Sequence, residues 1–297
     1  MLSRESEKRR MAHAPLCHGS FPPFAFSFKI AIMVCVFTGG DAPEPELCAD
    51  FFSRAEKPVA AIAADSGLET FGRYQDFFGF FDLKAAMGDW DSISDTALLS
   101  SVSGVVEEFP RDKDFTDTEL ALFRARSADF SRFADKIVLI GAGGGKRIDH
   151  LLAVFDIFSD KSLRPDVWIS GFQFLYLLPE HSECEIFGLG RSDDVSVFRT
   201  TSFRSGGKID SSGLNWESGL FRRSGVPSIS NRISPGHLER NLPVALRAEE
   251  CDFVLVVPNS ARVAFSHGEK PSESAFRTAD KTPVEDANAT EIVNASE

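Results

Sequence analysis

The sequence predicts an α/β fold in its first half and an all-β fold in its second half. Up to about residue 165, short apolar runs alternate with polar, helix-like stretches, a pattern typical of βαβ units around a mostly parallel sheet. Beyond it, the apolar runs are short and separated by Gly, Pro, Ser and Asn, which favours packed antiparallel strands. We therefore expect a doubly wound, mostly parallel sheet over residues 29–165 and a β-sandwich over residues 166–265.

The composition is that of a globular protein and argues against nucleic acid as a partner. Hydrophobic residues make up 43% of the 297 residues and charged residues make up 26%. The net charge of −12 makes a basic, phosphate-neutralising face less probable. A phosphorylated ligand would therefore need a divalent cation and a few local Lys or Arg side chains.

The two ends of the chain fall outside the predicted domains. The basic stretch SEKRR and the apolar run after it imitate a signal peptide, but Lys29 interrupts the run, which is also too short to span a membrane. We expect a poorly ordered extension over residues 1–28 and a disordered polar tail over residues 266–297. The five cysteines are scattered and form no CxxC pair, so we interpret them as reduced thiols and expect a cytoplasmic protein. We expect no membrane partner.

Five acidic or glycine-bearing segments follow predicted strands. In a parallel sheet, loops that follow strands meet at the carboxyl edge, where ligands of such sheets bind. The segments therefore predict one ligand site built from several loops. They are TGGDAP (38–43), ADSG (64–67), GDWDS (88–92), RDKDFTD (111–117) and GAGGGKRIDH (141–150).

The segment GDWDS is a candidate magnesium site. Asp89 and Asp91 are one residue apart, so both carboxylates can approach one cation. Mg²⁺ prefers hard oxygen ligands and usually takes one or two carboxylates together with phosphates and water. Ser92 adds a hydroxyl for a ligand oxygen. A capped turn explains the same residue types and remains an alternative.

The segment RDKDFTD also has two interpretations. Crowding Asp112, Asp114 and Asp117 is unfavourable unless a cation or basic side chains offset their repulsion. Alternatively, Asp114, Thr116 or Asp117 caps the helix predicted after this segment, where negative charge is favoured. Both interpretations can hold if Asp114 or Thr116 caps the helix while Asp117 faces the ligand crevice at the carboxyl edge of the sheet.

Two further segments carry candidate ligand residues. In GAGGGKRIDH, backbone N–H groups, Lys146 and Arg147 could neutralise phosphate, although neither the P-loop nor the dinucleotide fingerprint is matched. His150 is more simply a helix residue than a general base. In SSGLNW (211–216), Trp216 is either an ordinary core residue or a platform for a cationic heteroaromatic ring. SGVPSISNRI (224–233) follows it.

Taken in order, these segments resemble the thiamine pyrophosphokinase family. That family carries Gly-Gly-Asp, Ala-Asp-Ser/Gly-Gly, Gly-Asp-x-Asp-Ser, Asp-x-Asp-x-Thr-Asp, a Gly-rich loop ending Arg-x-Asp-His, and a late Ser-x-Gly-Leu-x-Trp with Ser-Asn. The matches here are TGGDAP, ADSG, GDWDS, DKDFTD, GAGGGKRIDH, SSGLNW and SISNRI, all within residues 38–233. The glycine loop departs from the family by one extra residue before its Arg, which leaves its phosphate contact open.

The resemblance implies an activity, a cofactor and an assembly. It implies an ATP-binding α/β domain, a thiamine-binding β-sandwich and a homodimer with active sites between subunits. The reaction would transfer the pyrophosphoryl group of ATP to the hydroxyethyl oxygen of thiamine, with Mg²⁺ as cofactor. It implies that the catalytic magnesium ligands are Asp89, Asp91 and Asp117, and that the substrate-binding residues are Asp41, Asp65, Ser92, Asp112, Arg147, Asp149, Trp216, Ser230 and Asn231.

Two other functions stay open at this point. Another metal-dependent nucleotide transferase could use the same pair of aspartates for the same cation-diphosphate chemistry. A non-catalytic module could bind nucleotide or thiamine without any transfer. AMP release that depends on thiamine distinguishes the proposed kinase from both.

Overall fold

We analysed a computed structural model of the chain. Asp91, Ser92 and Arg147, three of the predicted site residues, lie outside the part that it describes, as do the predicted N-terminal extension and all but the first residue of the predicted tail. The described residues are 31–90, 93, 99–100, 102–131, 134–144, 148–200, 207–217 and 229–266.

Strands account for most of the regular structure in the described part of the chain. The strands of the first half are β1 (Met33–Phe37), β2 (Val59–Ala64), β3 (Phe81–Gly88), β4 (Val105–Glu108) and β5 (Lys136–Ile140). Those of the second half are β6 (Val167–Ser170), β7 (Gln173–Leu178), β8 (Glu183–Phe187), β9 (Ser196–Arg199), β10 (Lys208–Ser212), β11 (Val244–Glu249), β12 (Phe253–Pro258) and β13 (Arg262–Ser266).

Six α-helices lie between these strands in the described ranges. They are α1 (Ala49–Phe52), which continues a 3-10 helix (Pro45–Cys48), α2 (Gly67–Phe78), α3 (Asp117–Arg126), α4 (Ala128–Ser131), α5 (Ile148–Ile157) and α6 (Pro235–Glu239). No helix within the described ranges is both long enough and apolar enough to cross a membrane.

One nine-stranded sheet organises the fold, in the order β4-β3-β2-β1-β5-β6-β7-β12-β9. The pairs from β4 to β6 are parallel, and β7, β12 and β9 add antiparallel strands at one side. All five residues of β1 are buried, as expected for a central strand of a parallel sheet that is covered on both faces.

Alternating side chains of β1 point into two separate cores. Phe37 packs in a cluster with Leu68 and Tyr74 of α2, whereas Val36 packs in a cluster with Leu122 of α3 and Val154 of α5. The alternation follows from the two-residue period of a strand. Helices therefore lie on both faces of the sheet.

A second sheet, β10-β11-β8-β13, is antiparallel. Strands β8 and β11 alternate buried and partly exposed residues, so one face of this sheet is buried. Ile186 of β8 and Leu246 of β11 belong to the same buried cluster as Tyr176 of β7 and Leu255 of β12. The C-terminal strands of the large sheet and the smaller sheet thus share one core.

The coarse prediction of an α/β sheet followed by antiparallel strands is confirmed. Strand β6, which follows the predicted boundary at residue 165, still pairs in parallel with β5, and β7, β12 and β9 extend the same sheet. The division into a doubly wound domain and a separate β-sandwich stays a prediction.

Candidate active site

The candidate site lies at the carboxyl edge of the parallel strands. The chain adds β2, β3 and β4 on one side of β1 and then returns to place β5 on the other side, so the strand order reverses between β1 and β5. Ligands of open α/β sheets bind at such a switch point. The loops after these two strands are joined, because Ala142 N–H donates to Gly39 O (2.7 Å) and Asp41 N–H donates to Gly143 O (2.7 Å).

Glycines in the motifs allow the neighbouring loops to pack closely. A β-carbon built on Gly67 would overlap the Phe37 carbonyl at the end of β1. One built on Gly88 would lie 3.1 Å from Asp65 Cα in the loop after β2. The glycines of ADSG and GDWDS therefore serve loop packing, which holds the acidic residues beside them close to one another.

Asp65 and Asp89 lie at the ends of adjacent strands. Asp65 has a φ of 48° and its N–H donates to Met87 O (2.8 Å), one residue before Gly88. One oxygen of its carboxylate is buried, and Asp89 directly follows β3 with its side chain half-buried. The structure thus brings these two predicted residues to one edge, although Asp91 lies outside the described residues.

Asp41 lies at the rim of a cleft of about 570 Å³. Its carboxylate packs on Gly144, where a β-carbon would overlap it, and its carbonyl accepts a hydrogen bond from Gly171 N–H (3.1 Å). The same cleft contains acidic and aromatic groups. Its lining residues are Asp41, Gly144, Leu151, Ser170, Gly171, Phe172, Gln173, Ser192, Asp193, Asp194 and Pro258.

The acidic segment after β4 shows that helix capping and charge compensation act together. Thr116 caps α3 in a capping box with Glu119, as one of the two interpretations predicts. Asp117 forms an ion pair with Lys113 (3.1 Å), so a basic side chain offsets part of the crowded charge. Asp112 is exposed. These contacts leave the predicted ligand roles of Asp112 and Asp117 untested.

The loop after β5 leads into α5. Trp168 Nε1 donates to Gly141 O (2.7 Å), which anchors the start of the loop. Asp149 and His150 are exposed in the first turn of α5. Arg147, predicted to contact phosphate, lies outside the described residues, so this part of the prediction stays open.

The two late motifs meet in space. Leu214 pairs with Ile233 in an antiparallel bridge, and Asn215 N–H donates to Arg232 O (2.9 Å). Trp216 is 48% exposed and is therefore not an ordinary core residue. By contrast, Asn231 is completely buried.

Ser230 and Gly213 complete the surroundings of the late motifs. Ser230 is exposed, and its N–H donates to Ser196 Oγ (2.9 Å). Gly213 has a φ of 97° and packs against His237, whose ring a β-carbon would overlap. Burial, together with the charge of Arg240, lowers the pKa of His237, so its ring is neutral at pH 7.

Sequence reasoning missed two residues that shape the site. Tyr74 of α2 donates its hydroxyl hydrogen to Pro43 O (2.9 Å), which holds the loop that carries Asp41. Glu217 accepts hydrogen bonds from the Gly213 and Leu214 N–H groups and closes the loop of Trp216. The acidic residue directly after SSGLNW could have pointed to Glu217, whereas no sequence motif includes Tyr74.

The donor set at the edge fits a hard divalent cation. Asp65 and Asp89 directly follow the adjacent strands β2 and β3, and carboxylate oxygens are the ligands that Mg²⁺ prefers. Among the described residues, however, no group of three His, Cys, Asp or Glu side chains is arranged to hold a metal. Asp91, the middle member of the predicted set, falls outside that part of the chain.

Comparisons with solved structures agree with this fold. A Thiamin pyrophosphokinase family protein from Enterococcus faecalis has a TM-score of 0.54 and 20% identity over 76% of this chain and 98% of its own. Thiamine pyrophosphokinase from Bacillus subtilis has a TM-score of 0.53 and 16% identity over 76% and 98%. No curated protein matches the sequence.

The comparison with protein families adds a match in sequence. Residues 53–167 match the family model described as Thiamin pyrophosphokinase, catalytic domain. This stretch contains Asp65, Asp89 and Asp117, the acidic residues that follow β2, β3 and β4. Residues 53–167 are thus similar in sequence to the catalytic domain of thiamin pyrophosphokinases, and the fold is similar to that of the two solved structures.

Proposed function

We propose that the chain is a thiamine diphosphokinase, which converts ATP and thiamine into AMP and thiamine diphosphate. The observation that carries the proposal is the convergence of the TGGD loop, the ADSG loop and residues 88–90 of GDWDS at one sheet edge, with the last two inside the catalytic-domain match. Acidic loops that meet at a switch point suit a ligand that consists of a cation and a polyphosphate.

The proposed reaction is an in-line displacement at the β-phosphorus of ATP. The hydroxyethyl oxygen of thiamine forms a bond to that phosphorus, the bond to the oxygen bridging the α-phosphorus breaks, and AMP leaves with the electron pair. The hydroxyl proton passes to solvent or to a carboxylate of the acidic edge. Rigid loops favour this chemistry because phosphoryl transfer depends mainly on positioning and charge stabilisation.

Mg²⁺ is the proposed cofactor, and Asp89, Asp91 and Asp117 are its proposed ligands. When bound, the ion would neutralise negative charge on the phosphate oxygens. The close packing of Gly88 on Asp65 supports the proposal, because it holds Asp89 at the edge without a flexible linker. We propose that Ser92, Asp112, Arg147 and Asp149 contact the nucleotide, and that Asp41 and Asp65 line the substrate site.

Trp216 is the proposed platform for thiamine. Its exposed ring suits stacking on the cationic thiazolium or on the pyrimidine. We also propose a cytoplasmic homodimer in which Trp216 of each subunit contacts thiamine that is held mainly by the other subunit. Size-exclusion chromatography with light scattering measures the assembly, and a monomeric active enzyme would contradict the shared site.

The decisive experiment follows both products of the reaction. The full chain is incubated with thiamine, ATP and Mg²⁺, and thiamine diphosphate and AMP are quantified by chromatography. We expect the two products in equal amounts and no AMP when thiamine is left out. Formation of ADP would show single-phosphoryl transfer, AMP without thiamine would show a nucleotide hydrolase, and binding without products would show a non-catalytic module.

A further inference from the structure

The loop that carries Trp216 is held from inside by a carboxylate. Oε1 of Glu217 accepts hydrogen bonds from Gly213 N–H (2.7 Å) and Leu214 N–H (3.1 Å). Its other oxygen accepts a hydrogen bond from the Ser211 hydroxyl. A carboxylate that accepts several hydrogen bonds in one turn makes that turn rigid, because charged acceptors form the stronger bonds.

A second side chain holds the backbone of Trp216 itself. Oδ1 of Asn231 accepts from Trp216 N–H (3.2 Å), and Nδ2 of Asn231 donates to Trp216 O (2.7 Å). The same Oδ1 also accepts from Arg232 N–H (2.9 Å). An amide oxygen offers two lone pairs, so these bonds use its whole acceptor capacity.

Burial separates the roles of Asn231 and Trp216. Asn231 is 0% exposed, whereas Trp216 is 48% exposed. A completely buried side chain whose oxygen is already saturated cannot accept a hydrogen bond from a ligand without giving up an internal one. The exposed indole ring can meet a ligand while its backbone stays in place.

We propose that Asn231 is a positioning residue that holds the backbone of Trp216, with Glu217 supporting the loop before it, so that the indole ring is preorganised to stack on the acceptor substrate. The resemblance of the sequence instead places Asn231 among the ligand-binding residues. The inference rests on the proposed function, because that function supplies the flat cationic ring. Preorganisation strengthens binding because the loop does not have to be ordered when the ligand arrives.

The first test uses the ligand-free protein. Amide hydrogen exchange of Trp216 is measured by NMR in wild type, Asn231→Ala and Asn231→Asp. The matched control is Asn215→Ala, since Asn215 is exposed and lies next to Trp216. We expect exchange of the Trp216 amide to be faster by about tenfold or more in Asn231→Ala, since the acceptor of its hydrogen bond is lost.

Unchanged exchange of the Trp216 amide in Asn231→Ala would overturn the inference, as would an equal change in Asn215→Ala. Asn231→Asp keeps an acceptor oxygen but loses the donor to Trp216 O, so we expect an intermediate exchange rate. The amide spectrum shows directly whether Asn231→Ala folds. If it does not fold, Asn231→Asp still tests the inference.

The second test is a double-mutant cycle on turnover. If Asn231 acts through the indole ring, Asn231→Ala raises the KM for thiamine by about tenfold, leaves the KM for ATP unchanged, and adds nothing in a Trp216→Ala background. If the effects of Asn231→Ala and Trp216→Ala on the KM for thiamine add, Asn231 contacts the substrate itself. Wild-type protein without thiamine turnover would contradict the proposed function, while the exchange experiment would still decide the positioning role.

Discussion

The acidic residues of the candidate site depend on glycines whose neighbours leave no room for a side chain. Gly88 packs against Asp65 and is followed directly by Asp89, so a residue without a side chain allows the loops that carry the two aspartates to pack together. Carboxylates that gather at one edge repel one another, and a bound cation would offset that repulsion. At this scale, the chemistry of the site depends on backbone packing as much as on the aspartates.

Asp89→Asn should lower turnover strongly without unfolding the protein. The amide keeps the size of the side chain but removes a negatively charged oxygen, so we expect thiamine-dependent AMP formation to fall by about a hundredfold or more. The control is Asp82→Asn, at the opposite end of β3, which should keep its turnover. Near-normal AMP formation by Asp89→Asn would remove Asp89 from the proposed magnesium ligands.

Helix α2 shows how one element places a loop. Its first residue packs against the end of β1, and Tyr74 on its buried side donates a hydrogen bond to Pro43 O in the loop that carries Asp41. Burial raises the pKa of Tyr74, so its hydroxyl keeps the proton that it donates. The helix ends at Phe78 and is capped by Gly79, which adopts the left-handed conformation with a φ of 68°.

Two glycines of α2 should respond to alanine in opposite directions. A β-carbon at Gly67 would overlap the Phe37 carbonyl, so we expect Gly67→Ala to destabilise the fold by about 3 kcal/mol. At Gly72 a β-carbon meets no atom within 4 Å, so Gly72→Ala should add about 0.5 kcal/mol of stability through helix propensity.

Urea unfolding followed by circular dichroism measures the stability of both α2 variants. A Gly67→Ala protein as stable as wild type would show that the end of β1 can move away from α2. The close packing of the candidate site would then not depend on that glycine.

The nine-stranded sheet connects the two halves of the molecule. Arg164, just before β6, is hydrogen-bonded to Asp252, just before β12, and Asp252 Oδ1 also accepts from Glu180 N–H (2.7 Å). Burial alone would raise the pKa of Asp252, but the hydrogen bonds from Arg164 and Glu180 outweigh it and hold the pKa below its ordinary value. The Asp252 carboxylate therefore joins the segments that carry Arg164, Glu180 and Asp252 itself at one end of the sheet.

Asp252→Asn should lower stability in a pH-dependent way. Because the pKa of Asp252 is lower in the folded than in the unfolded protein, its contribution is complete above the unfolded pKa, near 4, and is lost as the pH falls through the folded pKa. We expect the variant to lose about 2 kcal/mol at pH 7 and correspondingly less below about pH 4.

Thermal unfolding across this pH range measures the effect of Asp252→Asn. Asp76→Asn, at an exposed position of α2, is the control and should follow the wild-type curve. A constant difference between Asp252→Asn and wild type at every pH would contradict the charge-based explanation.

The sequence by itself determined the local features of this protein. The apolar runs predicted the strands, the Asp and Thr residues of RDKDFTD predicted a cap for the helix after them, and the acidic segments after strands predicted the edge at which a ligand would bind. These features depend on residues close to one another in the chain, so their patterns can be seen in the sequence. The order of the motifs also predicted the family model that residues 53–167 match.

Only the tertiary structure decided how distant segments combine. It joined β7, β12 and β9 to the parallel sheet, exposed the ring of Trp216, and buried Asn231 against its backbone. A strand pattern does not specify its partner, because pairing depends on which faces can be buried together. Similarly, an asparagine in a loop has the same local pattern whether it binds a ligand or a neighbouring backbone, and only packing distinguishes the two.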